Sequence, residues 1–304
     1  MITTLTGNNS FLRSSKLTRL KNEFSKQYGK ENIERISGET LETAELPSLL
    51  QGGSLFSSNR MVIIRDVSKN KELAEKLVDY FEKVPEEVSL ILVENQLDKR
   101  TSLYKTLKKA TDFQECIEPS DSDLLKWIVQ YTNDFGGEIN QSLARKLLDY
   151  VGVDQQRLVG EIEKLVSYSA KITSESVDEL VEKRPQSTAF QLLDLVLSAQ
   201  KEKALNVLDN LERAFEDPYQ IANLLIWQVQ VLAVVKSAGA RPDSQISKET
   251  KLNPYVISKT KSLARRIDTK KLNKIIELSA QLDIELKSTN AKPWRLVEHT
   301  ILAI

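Results

Sequence analysis

Gln51-Gly52-Gly53-Ser54-Leu55-Phe56-Ser57-Ser58-Asn59-Arg60-Met61-Val62-Ile63-Ile64 joins two unlike kinds of chain, and its second half decides the fold. Met61 to Ile64 is an unbroken apolar run rich in β-branched residues, the pattern of a strand buried on both faces of a parallel sheet. In the first half, Gly52 and Gly53 interrupt any preceding helix and polar Ser57 to Asn59 follow at once. Leu55 and Phe56 are therefore expected on a surface turn, where large apolar neighbours suggest an interface.

Outward from this run, further strands are read over Ile2 to Thr6, Ile33 to Ser37, Val88 to Glu94 and Phe113 to Ile117. Helical periodicity separates them. Phe11 to Gln27 carries Leu12, Leu17, Leu20 and Phe24, and Glu72 to Lys83 carries Leu73, Leu77, Tyr80 and Phe81. Parallel strands need crossover helices, so this order predicts an α/β domain over residues 1–118. From Ser120 onward the strand signals nearly vanish. Helix starts at Asp121, Asn140, Asp154 and Ser174 predict a small helical bundle over 119–185, with Arg184-Pro185-Gln186-Ser187 as linker. Residues 186–304 read as all helix: Ala189 to Ala199, Lys201 to Phe215, Tyr219 to Ala238, Ser247 to Lys251, Pro254 to Arg266, Thr269 to Thr289 and Pro293 to the end. Apolar residues on both sides of Leu224 to Val235 predict a central, buried helix.

Composition narrows the chemistry. The 304 residues are 40% hydrophobic and 28% charged, ordinary for a globular protein. The longest greasy stretch, Leu224 to Val235, falls short of the roughly 18 residues that suggest a membrane span, and Met1 to Leu5 lacks the basic start of a secretion signal. One cysteine, Cys116, permits no internal disulfide and suits a reducing cytoplasm. One histidine, His299, leaves little for a histidine-based metal or catalytic site. Net charge is zero, with 18 basic and 18 acidic residues to position 118, 8 and 12 over 119–186, and 17 and 13 beyond. Any DNA contact is expected to be modest or shared with partners.

A phosphate loop would follow the first strand. Gly7-Asn8-Asn9-Ser10-Phe11-Leu12-Arg13-Ser14 has the spacing of a Walker A loop but carries Leu12 for the second glycine and Arg13 for the lysine. The glycine lets backbone amides approach phosphates and the lysine reaches the terminal ones, so this loop is degenerate. After Met61 to Ile64 stands Arg65-Asp66, one carboxylate without a partner to activate water, and Asp66 reads as a turn or cap residue.

A parallel α/β domain without a working Walker A site, a small helical lid and a helical C-terminal collar resemble the clamp-loader branch of the AAA+ ATPases. Gln51, Ser54, Leu55 and Phe56 resemble the clamp-binding element of the bacterial DNA polymerase III delta subunit family. Glu94-Asn95-Gln96-Leu97-Asp98-Lys99-Arg100, Glu161-Ile162-Glu163-Lys164-Leu165, Ala189-Phe190-Gln191-Leu192-Leu193-Asp194 and Leu282-Asp283-Ile284-Glu285-Leu286-Lys287-Ser288 are similar to later patterns of that family. Departures are Ser288 where the family often has glycine, and the flexible Gly52-Gly53 pair. The resemblance implies a cytoplasmic subunit with no cofactor, metal or catalytic residue of its own, within the DNA-directed DNA polymerase III holoenzyme. It also implies the beta sliding clamp, the tau or gamma and delta-prime loader subunits, and primed DNA as partners. Leu55 and Phe56 would hook the clamp and the ring would open, with ATP hydrolysed by the partner subunits.

Two other readings stand beside it. Ile246 to Ser258, running on to Arg265-Arg266, has the spacing of a helix-turn-helix DNA-binding regulator, although an αα-corner fits equally. Arg13 in place of lysine leaves open an active AAA+ ATPase with an unusual phosphate loop. Lys99, Arg100 and Lys105, with Lys108 and Lys109, form a basic cluster that either faces DNA or is a solvated helix face. Trp294 and His299 are expected to pack within the final helices, and Cys116 to be a small core residue.

Overall fold

In the computed structural model, which describes residues 1–50, 59–183 and 185–304, Met61, Val62, Ile63 and Ile64 are all buried in one strand. Among the described residues five parallel strands, β1 (Ile2–Thr6), β2 (Ile33–Ser37), β3 (Arg60–Arg65), β4 (Val88–Val93) and β5 (Asp112–Glu115), form one sheet in the order β2-β3-β4-β1-β5. Val62 pairs with Leu90, Ile63 with Ile91 and Ile64 with Leu92, while Leu5 of β1 pairs with Val93. Alternation sends Met61 and Ile63 to one face and Val62 and Ile64 to the other. On the first face they meet Leu17 and Phe24 of α1 (Ser10–Tyr28). On the second they meet α2 (Leu46–Leu50), α3 (Lys71–Asp79) and α4 (Ser102–Ala110) through Leu49, Leu73, Leu77, Tyr104 and Leu107. Helix α3 stops before the expected Lys83, and Phe81–Lys83 continues as a single 3-10 turn.

The chain divides into the compact units Met1–Glu118 and Pro119–Ile304. The second unit begins with α5 (Asp121–Asp134), α6 (Gln141–Val151), α7 (Gln155–Tyr168) and α8 (Ser174–Leu180). The side chains of Ser120, Asn140, Asp154 and Thr173 each accept a free amide of the first turn, fixing where these helices start. Leu124, Ile128, Leu147, Leu158, Ile162 and Val177 close a core among them.

Further helices follow: α9 (Pro185–Leu197), α10 (Lys201–Arg213), α11 (Pro218–Ala238), α12 (Asp243–Thr250), α13 (Pro254–Arg266), α14 (Thr269–Ser288) and α15 (Pro293–Ala303). Helix α9 starts within the stretch read as a linker, because proline at the first helical position gives up an amide that has no helical partner anyway. Helix α11 is central, as expected. Val229, Leu232 and Val235 pack with Ile246, Ile257 and Ile275 in one cluster, while Ile221 and Ala222 join Leu192, Leu208, Val297 and Ile301 in another. By length and hydropathy α11 is the one helix among the described residues that could cross a membrane. Here α9, α13, α14 and α15 pack around it, and Lys236 near its end donates to the carbonyls of Ala264 and Ile267 at 2.8 and 2.7 Å. Trp294 packs against the second cluster, whereas His299 lies exposed; it falls on the outer side of α15, away from Val297 and Ile301.

Replacing the fully buried Leu232 by alanine is expected to cost about 2–5 kcal/mol of unfolding free energy in urea titrations. Val234→Ala on the exposed side of the same helix should stay within about 0.5 kcal/mol of the parent chain.

Candidate functional site

The carboxyl ends of β1, β3 and β4 meet at one edge of the sheet, the place where open α/β folds bind ligands. The loop after β1 turns at Gly7, whose φ of +125° lies outside the range of ordinary side chains. A Cβ there would stand 2.0 Å from the carbonyl oxygen of Cys116. The same carbonyl accepts the amide of Asn9 at 3.0 Å, and the Asn9 side chain caps α1 by accepting from Leu12 at 2.8 Å. Cys116 is fully buried, and burial pushes its thiol pKa up.

Arg13 stands where a phosphate loop has its lysine, and its guanidinium is engaged by the protein. It donates to the Gly7 carbonyl and, at 3.0 Å, to Oδ1 of Asn95 just beyond β4. Asn95 in turn donates to Asp66 at 3.3 Å, and its carbonyl accepts from Thr6 Oγ1 at 2.5 Å. Asp66 follows β3 in a left-handed conformation (φ 57°) and lies 3.6 Å from Lys69. Arg13, Asn95 and Asp66 therefore tie three strand ends together. Leu12 is only half-buried, and Ser14 is exposed.

The sequence reading missed Glu94 as a site residue. It is 1% exposed, yet its only sequence signal is a carboxylate closing the apolar run Leu90 to Val93. Its carboxylate accepts the Ser68 hydroxyl at 2.5 Å and the Ser68 amide at 3.2 Å. Burial raises its pKa, and the Ser68 bonds oppose that rise without cancelling it.

Gln51, Ser54, Leu55 and Phe56 lie outside the described residues. The residues on either side are held: Leu49 and Leu50 are buried, and Arg60 donates to Glu34 and, at 3.5 Å, to the carbonyl of Ser48. In the basic cluster, Lys99 pairs with Glu115 at 2.7 Å and Arg100 with Asp98 at 2.6 Å, which holds the Asp98 carboxyl down to about 2. Lys105 is exposed. In the helix-turn-helix candidate, α12 and α13 do form a corner at Lys251. Three of its cations are engaged within the chain, Lys259 with Asp149 at 2.7 Å, Lys261 with Asp243 at 2.5 Å, and Arg266 with Asp194 at 2.5 Å, while Lys248, Lys251 and Arg265 are exposed. Asp149 also accepts Tyr255 Oη at 2.8 Å. No cluster of three His, Cys, Asp or Glu among the described residues could hold a metal ion.

Gly7→Ala is expected to lower the thermal midpoint by several degrees, because both its φ and the clash with Cys116 must be relieved. The native chain binds a proton at Glu94 more tightly than the unfolded chain. Its contribution is thus complete below the ordinary value of 4.5 and is lost as pH rises through the raised native value. Denaturation followed across that range should show Glu94→Gln flattening the decline.

Residues 4–116 match the family model described as DNA polymerase III, delta subunit, and residues 186–304 match that for the DNA polymerase III delta subunit, C-terminal domain. The chain is 23% identical over 319 aligned residues to the DNA polymerase III subunit delta of Bacillus subtilis, covering 99% of this chain and 91% of that one. It is 24% identical over 234 residues to a probable DNA polymerase III subunit delta of Aquifex aeolicus, covering 73% of this chain and 66% of the relative. The solved structure of the Bacillus subtilis DNA clamp loader delta protein superposes with a TM-score of 0.78 at 21% identity, over 99% of this chain and 94% of that one. With both of the family's models matched, one near each end, the chain belongs to the DNA polymerase III delta subunit family.

Proposed function

We propose that this chain is the delta subunit of a bacterial clamp loader: it binds the beta sliding clamp through Gln51, Ser54, Leu55 and Phe56 and opens the ring for loading on primed DNA. The family match over residues 4–116 and 186–304 carries the reading. Leu55 and Phe56 act as anchors, each worth roughly 1.5–3 kcal/mol when buried in a pocket on the clamp. The segment springs from two fixed ends, the buried Leu49-Leu50 pair and Arg60 with its bonds to Glu34 and Ser48. Ring opening follows from tighter binding to the open clamp than to the closed one, a population shift that needs no chemistry in this chain.

ATP is handled by the partner subunits, tau or gamma and delta-prime. The engagement of Arg13 with Gly7 and Asn95 supports this division, since the cation in the lysine position already has partners inside the protein. In this reading residues 119–185 serve as the lid and 186–304 as the collar joining the loader, which works in the cytoplasm as part of the DNA-directed DNA polymerase III holoenzyme. Lys105, with Lys108 and Lys109, is the part of the basic cluster available to DNA, as Lys99 and Arg100 are paired.

Surface plasmon resonance against the organism's own clamp should give specific binding that Leu55→Ala/Phe56→Ala abolishes, with circular dichroism unchanged. Binding indifferent to the substitutions would sink the assignment of the hook, and ATP turnover by the isolated chain would sink the division of labour.

A further inference from the structure

Helix α1 is basic along its length, with Arg13, Lys16, Arg19, Lys21 and Lys26 against the single acid Glu23. Ser14, Thr18, Lys21 and Ser25 recur at spacings of four, three and four and share one face, whereas Glu23 lies on the opposite side, 3.6 Å from Arg19. The sheet supplies the rest. Arg35 of β2 pairs in register with Ile63, and Ser37 pairs with Arg65. Ile63 packs with Leu17 and Phe24 of α1, so the alternation of the strands puts Arg35, Ser37 and Arg65 on the face that α1 covers.

Helix α1 and the strand register bring these cations to one face of the sheet. The Lys21 ammonium is driven below its ordinary pKa by partial burial and then by the charges of Arg35 and Arg65. None of the three has an ion-pair partner among the described residues. The nearest acid in sequence, Asp66, is taken by Asn95 and Lys69, and Glu34 by Arg60. Three cations carried on a helix and two strands, without an ion-pair partner among the described residues, suit an external anion.

We propose that Lys21, Arg35 and Arg65, flanked by the hydroxyls of Ser14, Thr18, Ser25 and Ser37, form a binding surface for the phosphodiester backbone of DNA. Two guanidiniums suit the bidentate geometry of phosphate, and hydroxyls complete such contacts. The surface lacks the aromatic or aliphatic anchor that a protein docking site needs: among the described residues of Met1–Glu118 the large exposed apolar ones are Met1 and Ile117, outside this patch. The inference does not rest on clamp binding, and it assigns to DNA a set of cations distinct from Lys99, Arg100 and Lys105.

The test is fluorescence anisotropy of the whole chain with a labelled primer–template DNA across a salt series. The Lys21→Gln/Arg35→Gln/Arg65→Gln variant is expected to bind at least about tenfold more weakly at low salt. Its slope of log K against log salt should be shallower by about 2–3, close to one for each phosphate that is no longer neutralised. Lys21→Glu alone, with an unchanged melting temperature, should show a partial loss. Wild-type affinity in the triple variant, or no salt-dependent binding by the parent chain, would overturn the proposal. So would a triple variant that keeps DNA binding but loses the clamp, which would make this an acidic-protein surface. The Leu55→Ala/Phe56→Ala variant should keep its DNA affinity, which separates this result from the clamp reading.

Discussion

A parallel sheet exposes no face that water can cover cheaply, and the burial of β3 and β4 on both sides is the constraint on which the first unit depends. Met61 and Ile63 require α1; Val62 and Ile64 require α2, α3 and α4. Helices on both faces force crossover connections, which bring the carboxyl ends of β1, β3 and β4 to one edge. Every site residue of that edge follows from this arrangement. A ligand-binding crevice is the ordinary outcome; here Arg13, Asn95 and Asp66 fill the edge with the protein's own hydrogen bonds.

The same constraint shapes the cationic face. Helix α1 must lie on the sheet to bury Leu17 and Phe24, and in doing so it brings Lys21 to the face that carries Arg35 and Arg65. Like charges on one face are unfavourable in the isolated chain. The core packing outweighs that cost, since each buried leucine or phenylalanine contributes more than an exposed pair of cations loses.

In the second unit, charge serves packing. Asp149 near the end of α6 accepts both Tyr255 and Lys259 of α13, and Lys259 lies 4.5 Å from the Phe190 ring centroid. Burial and the Asp149 carboxylate push the Tyr255 phenol well above its ordinary range, so it stays a donor. Lys259, Lys261 and Arg266 of α13 are committed to ion pairs inside the second unit, which leaves Arg265 exposed.

The sequence alone determined the five strands, most helix boundaries and the presence of Leu12 and Arg13 where a Walker A loop has glycine and lysine. Ile2–Thr6 and Ile33–Ser37 needed only residue type and period, and the caps at Asn140 and Asp154 needed only their neighbours one turn ahead. Where local signals were weaker, as at Lys83 and Ala189, boundaries moved, because a 3-10 turn and an N-terminal proline obey the same chemistry with different limits. Tertiary structure alone decided what those residues meet. Arg13 finds Asn95 across 82 positions, Glu94 finds Ser68 across 26, and Lys259 finds Asp149 across 110. Such pairings depend on which strand lies beside which, a property of the assembled sheet and bundle that no local periodicity encodes.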